Sequence, residues 1–273
     1  MNPWHTGRLL AFDTETTGVD TDTDRIVTAA AILLGGDQPA EQRSWMADPG
    51  IEIPEGATAV HGITTEQARA EGRPAAEVVE QILTAIGTAV AGGVTLVGHN
   101  IVYDLTLLDR EAHRYLGGGL FDAIPAAQMN VIDTMVLDRH ACPYRRRVSE
   151  TQGPYQLRTS AETYGLPWDE GNAHGAEYDA MMAARVACKI GAIAHRAPAD
   201  RPVWVRQLRT QRFDSMAGVT VQDLHQMQMQ WAARDAASFQ DWLRTKAPQG
   251  KRDPQAVVDG TWPLRPVAEE VPA

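Results

Sequence analysis

Residues 8–13, Arg-Leu-Leu-Ala-Phe-Asp, form a short apolar run closing on an acid, the pattern of a buried strand. Residues 25–34 are a second such run, stopped by Gly35-Gly36-Asp37, and residues 43–46 suit a third strand. The spacing fits an antiparallel meander that leaves through the turn Asp48-Pro49-Gly50. Thr64-Thr-Glu-Gln67 has the form of a capping box and predicts a helix start. Residues 75–91 place Val78, Val79, Ile82, Leu83, Ile86 and Val90 at helical spacing, ended by Gly92-Gly93. Residues 94–97 read as another buried strand. Gly98-His99-Asn100 then leads into a helix with Asn100 as its expected cap, closed by Gly117-Gly-Gly119. A strand at 130–133, a loop at 139–155, a short helix at 156–164 and a long one at 176–197 complete the pattern. Strands alternate with helices beyond residue 75, which predicts the α/β class.

Ala197-Pro-Ala-Asp-Arg-Pro202 reads as a boundary. Beyond it Thr220, with Asp223 three residues on, caps a helix running to about residue 244. Met229, Ala232, Ala236, Phe239 and Leu243 fall on one face of that helix. A lone helix of this size is marginal in water, so its apolar residues, Trp231 and Trp242 included, must dock. No long flexible linker precedes it, so the expected surface is the chain's own domain. Residues 247–273 are rich in proline, glycine and charge and predict a loose tail. The expected division is therefore 1–197 as the main domain, 198–246 as a helical extension and 247–273 as tail.

Composition is ordinary for a globular chain of 273 residues, with 44% hydrophobic and 22% charged. The net charge of −10 argues against a protein that coats or wraps duplex nucleic acid. It leaves room for an enzyme that grips a strand end, because bound metals reverse the local sign of acidic residues. No uncharged apolar stretch approaches a membrane span, and no basic-then-apolar leader precedes Asp13. Cys142 and Cys188 make neither a disulfide framework nor a cysteine zinc site, and two reduced thiols fit a cytoplasmic protein.

Candidate chemistry centres on Phe12-Asp-Thr-Glu-Thr-Thr-Gly18. Residues two apart on a strand face the same side, so Asp13 and Glu15 project together. Adjacent carboxylates repel unless a cation lies between them, and they suit hard ions such as Mg2+ or Mn2+. Alone, such a pair is commonest as a solvated acidic loop. Asp104, one turn into a helix, and Asp179, early in the long helix, change that reading, with His174 five residues before Asp179. Asp20-Thr-Asp-Thr-Asp24 fails as a calcium loop, since Arg25 stands where glycine is needed and Ala31 where a bidentate glutamate is needed. Arg145-Arg-Arg147, with Tyr144 and Tyr155 nearby, is either a phosphate contact with an aromatic for stacking or a solvated charge run.

This ordered set resembles the DEDDh, or DnaQ-like, family of 3′–5′ exonucleases, proofreading subunits among them. Phe12 to Gly18, His99-Asn100 with Asp104, and His174-Gly-Ala-Glu-Tyr-Asp179 match its three motifs, and Val60-His-Gly-Ile-Thr64 resembles a family loop. The resemblance covers residues 7–195 and implies a ribonuclease H-like mixed sheet flanked by helices. It implies two divalent ions, Mg2+ or Mn2+, held by Asp13, Glu15, Asp104 and Asp179, with Asp13 bridging. It makes His174 the general base; Gly175, not tyrosine, stands four residues before Asp179, as in the histidine subclass. Thr16, Thr17, Gly18, His99 and Asn100 become candidates for substrate contact, each with a local turn or cap as its alternative. The implied substrates are single-stranded or frayed 3′ ends of DNA, or RNA, with a DNA polymerase as an implied partner.

Overall fold

The computed structural model describes residues 3–267. Its sheet is built around β1 (Arg8–Thr16), where Leu9, Leu10, Ala11 and Phe12 are all buried, without alternation. A strand buried on both faces needs cover on both, and helices supply it. β2 (Ile26–Gly35) and β3 (Glu41–Asp48) pair antiparallel in the expected meander. α1 (Glu55–His61) was not foreseen, because it buries none of its residues and so carries no apolar period. Thr64 caps α2 (Thr65–Glu71) by accepting the Gln67 N–H at 3.2 Å. β4 (Arg73–Pro74) is a two-residue pair on β3, and α3 (Ala75–Ala91) buries the six apolar residues its spacing marked.

β5 (Thr95–Gly98) runs parallel to β1 and hands the chain to α4 (Ile101–Leu116). Asn100 occupies the cap position in the left-handed region, φ 61°, but its side chain makes no capping bond. Its backbone N–H instead donates to Asp133 Oδ1 at 2.9 Å. α5 (Leu120–Ala123) and β6 (Val131–Asp133), parallel to β5, lead into α6 (Thr134–Ala141). α6 takes the first residues of the expected loop, because Asp133 caps it by accepting from the Met135 and Val136 N–H groups. α7 (Leu157–Thr163) and α8 (Ala176–Ala194) fall where periodicity placed them, α8 ending three residues early. The sheet order is β4-β3-β2-β1-β5-β6. The alanines of α8 pack on β1 and β2, where Ala29, Ala30 and Ala31, alternating between the two faces, keep both strand surfaces low enough for close packing.

The chain does not come loose at 197–202. Arg201 is 3% exposed and donates to the carbonyls of Ile193 and Ala194, capping the end of α8. α9 (Val203–Arg206) follows, and then α10 (Val221–Thr245), which opens on the predicted Thr220–Asp223 capping box. α10 docks on β6 and α6, but not through the expected stripe: Met229 is 39% and Phe239 50% exposed. Its buried residues are Leu224, His225, Gln228 and Trp231. The reason is the open edge of β6. Gln228 Nε2 donates to Val131 O at 2.9 Å, and its Oε1 accepts the Asp133 N–H at 2.8 Å. His225 Nδ1 accepts the Val131 N–H at 3.1 Å, and Trp231 stacks on His140 with ring centroids 3.5 Å apart. An edge strand is here paired by helix side chains rather than by another strand.

Residues 247–267, expected loose, have no helix or strand but lie on the core. Trp262 is 4% exposed with Nε1 3.3 Å from Asp133 Oδ2, and an Arg110 amino group donates to Pro266 O at 2.6 Å. The remainder of that predicted tail, 268–273, lies outside the described residues. No helix among the described residues is long and apolar enough to cross a membrane.

Candidate active site

Asp13 and Glu15 leave the C-terminal end of β1 on one side of the sheet, and Asp179 comes down from the first turn of α8. One carboxylate oxygen from each of the three lies within 4.8 Å of the others. Right after Glu15 the β1–β2 register slips by one residue, a bulge that turns the chain into the Thr16–Gly18 loop. Asp104 stands beside the triad. The β1–β5 pairing ends at Ala11, so the N–H of Thr14 has no strand partner there; Asp104, in the first turn of α4, takes its place. Its Oδ1 accepts from Thr14 N at 3.0 Å and from Thr14 Oγ1 at 2.7 Å.

The electrostatics are those of crowded acids, with His174 as the opposing charge that acts on Asp179. Burial pushes Glu15 up to about 8, helped by Asp179, Asp104 and Glu177. Burial likewise raises Asp104 to about 7 and Asp179 to about 6. Asp13 rises too, through burial first and then Asp104, Glu15 and Asp179. Asp179 Oδ1 is buried with no hydrogen-bond partner among the described residues. An unpartnered buried carboxylate oxygen beside two more carboxylates is the donor set of a hard divalent cation, so these residues fit a metal centre.

His174 is exposed, in the left-handed region at φ 61°, and lines the clefts on both sides of the acids, one with Asp179 and one with Glu15. The larger cleft, about 670 Å³, is bounded by Asn100, Arg139, Trp168 and the 151–158 segment. That volume suits a nucleotide-sized ligand.

The other expected contacts divide. Asn100 faces this cleft with its side-chain amide free of protein partners among the described residues. Both His99 nitrogens are engaged, Nδ1 with Thr134 Oγ1 at 2.8 Å and Nε2 with Tyr155 O at 2.9 Å. A carbonyl can only accept, so Nε2 carries the proton, and burial holds this imidazole below its usual pKa. His99 thus ties the Tyr155 backbone to α6 while lining the cleft. Thr17 is buried and donates to Asp24 Oδ1 at 2.7 Å. A Cβ on Gly18 would stand 2.5 Å from the Asp24 carboxylate, so the glycine admits that side chain. Thr16 donates to Gly18 O at 2.6 Å, and Tyr103 OH donates to the same carbonyl. In the basic run Arg145 is buried against Asp138, at 2.5 and 2.7 Å, and Arg147 closes on its own loop carbonyls. Tyr155 OH is likewise engaged, donating to Cys142 O. Two arginines line the cleft: Arg158, paired with Glu162 and Glu170, and Arg139, on α6, with its guanidinium 5.3 Å from the Tyr155 ring centre. Its signal was the helix that Asp133 caps, unread because the apolar period there is short.

A mixed sheet of this order, flanked by helices and with acids gathered at the end of its central strand, defines a nuclease-type site on a ribonuclease H-like fold. The chain belongs to the exonuclease family RNase_T, whose profile matches residues 10–187. It is 27% identical over 189 residues to ribonuclease T of Hahella chejuensis, covering 65% of this chain and 80% of that protein. It is 39% identical over 133 residues to a DNA polymerase III subunit epsilon-like protein of Rhodobacter capsulatus, covering 47% of this chain and 17% of that one. Among solved structures, E. coli exonuclease I in complex with a dT13 oligonucleotide superposes with TM-score 0.56 at 19% identity. That match covers 67% of this chain and 40% of exonuclease I, and it speaks to the fold.

Proposed function

We propose that the protein removes nucleoside 5′-monophosphates from the 3′ ends of single-stranded or frayed DNA in the cytoplasm. The observation that carries this reading is the convergence of Asp13, Glu15 and Asp179, where Asp179 lines one cleft and Glu15 another, with Asp104 anchored beside them. These four carboxylates would hold two divalent ions, Mg2+ or Mn2+. Such ions supply charge to the scissile phosphate and lower the pKa of the attacking water. His174 takes the proton that water loses as its oxygen bonds phosphorus. The bond from phosphorus to the 3′ oxygen of the preceding nucleotide breaks, and that oxygen takes a proton from solvent to become a new 3′ hydroxyl, His174 later returning its own proton to solvent. The amide of Asn100, which lines the cleft, would orient the terminal nucleotide.

RNA is the second reading, favoured by the ribonuclease T relative, most of whose length this chain matches. The epsilon-like relative supports a DNA polymerase as partner. The test uses 5′-labelled single-stranded DNA, mispaired duplex DNA and RNA with Mg2+ or Mn2+, and EDTA as control. Ladders shortening from the 3′ end, lost in EDTA, are expected. Metal-independent cleavage, or none on any strand, would refute the reading.

A further inference from the structure

The cleft at the carboxylates does not end at α6. It continues, past Asn100, Met135 and Arg139, into a second groove of about 180 Å³ between α6 and α10. The far wall is the segment 258–265, which belongs to the part of the chain beyond the family match. That wall is held close. A Cβ on Gly260 would stand 2.8 Å from Ala236 Cβ and 2.9 Å from Ala233 Cα, so only glycine lets the segment lie on α10.

Two arginines mark the route. Arg139 stands where the two grooves meet, and Arg265 stands in the second one. Neither guanidinium has a hydrogen bond or carboxylate partner among the described residues, and Arg265 Nε is buried without one. The three acids of this groove are engaged: Asp235 pairs with Arg234 at 3.0 Å, Asp259 accepts the Thr261 N–H at 2.8 Å, and Asp133 accepts the Asn100 and Met135 N–H groups at 2.9 Å. A buried unpaired guanidinium donor is costly unless an anion completes it. Phe239 adds an exposed aromatic face at the groove's edge, stacked on Trp242 with centroids 5.8 Å apart. Unpaired guanidiniums with an open aromatic face are the elements of a single-strand path.

Resting on the exonuclease reading, we propose that this second groove carries the single strand immediately upstream of the 3′-terminal nucleotide. Arg139 holds the backbone phosphate nearest the carboxylates, Arg265 holds one further along, and Phe239 stacks a base. The C-terminal region thereby forms half of the substrate path of a chain whose net charge is −10.

The test measures binding of 5′-fluorescein (dT)10 and (rU)10 by anisotropy across a salt series, with Ca2+ replacing Mn2+ to hold back hydrolysis. Each phosphate contact contributes about 0.7 to the slope of log K against log salt on a single strand. Arg139→Gln and Arg265→Gln should each lower the slope by about 0.7, with unchanged melting temperature. Phe239→Ala should weaken binding by roughly tenfold, the scale of one lost base stack. Loss of slope with (rU)10 alone supports the same path with RNA as the strand. Cleavage separates the two readings: in Mn2+ the preference of wild type for (dT)10 over (dT)2 should fall about tenfold in Arg265→Gln and Phe239→Ala. Wild-type slopes and an unaltered length preference in variants that still cleave would overturn the path and leave the exonuclease intact. No cleavage of any strand by wild type would overturn both.

Discussion

Asp104 Oδ1 accepts both the backbone N–H and the hydroxyl of Thr14, the residue standing between Asp13 and Glu15. The helix acid is thus tied to the strand that carries the other two, at the point where β5 ends and leaves that N–H open. Thr14→Val keeps the strand and the buried volume but removes the 2.7 Å hydroxyl bond. Loss of a group that orients a metal carboxylate typically costs 10- to 100-fold in affinity or activity. Thr14→Val should therefore fold normally and weaken Mn2+ binding or turnover within about that range. Unchanged values in both would show that Asp104 needs no such anchor.

Divalent ions should bind and stabilise the fold, because the carboxylates are crowded and raise one another. Calorimetric titration with Mn2+ should show binding that Asp13→Ala abolishes or greatly weakens. Equal binding in the two proteins would move the metal centre elsewhere.

Without metal, stability should depend on pH with a defined sign. Glu15 is raised to about 8 and Asp104 to about 7, so the folded state holds protons that the unfolded chain gives up near the ordinary carboxylate range. That contribution is full at acid pH and is lost as pH rises towards about 8. In EDTA the melting temperature should fall between pH 5 and 8, through this term, and saturating Mn2+ should flatten the fall. Equal slopes with and without Mn2+ would show that these acids are not the ligands.

His174 lies beside Asp179 in the open cleft, and its ring makes no hydrogen bond among the described residues. His174→Ala should retain folding and Mn2+ binding while cutting turnover by roughly 10²–10⁴. A near-wild-type rate, measured where chemistry limits turnover, would remove it from the mechanism.

Gln228 seals the edge of β6 from α10. Gln228→Ala leaves a buried carbonyl and a buried N–H without partners, each worth about 1–3 kcal/mol. A lower melting temperature by several degrees is expected, and truncation after Ala199 should cost more and expose the strand edge to aggregation. A truncated chain as stable and monodisperse as the whole would show that the extension is no part of the core.

Much of the fold is determined locally. Strand runs such as Leu9–Phe12, the helical spacing of Val78 to Val90 and the Thr220–Asp223 cap depend on nearest neighbours in the chain, so they can be read from it. The acids were legible too, because a strand sets Asp13 and Glu15 on one side without help from elsewhere. What the chain alone could not give was decided by partners distant in sequence. His99 and Thr17 have the residue types of ligand contacts, and only the fold gives them Tyr155 and Asp24 as bonding partners. Arg145 stood in a basic run and became the mate of Asp138. The buried face of α10 centres on Gln228, which no apolar pattern can mark, because its value lies in matching the hydrogen bonds of a strand some 95 residues earlier. The segment 258–265 is irregular, with no period to read, and its place on α10 follows from one glycine and the shape it meets. Periodicity records what each element buries; which polar groups remain free to meet a substrate is decided only when the elements have found each other.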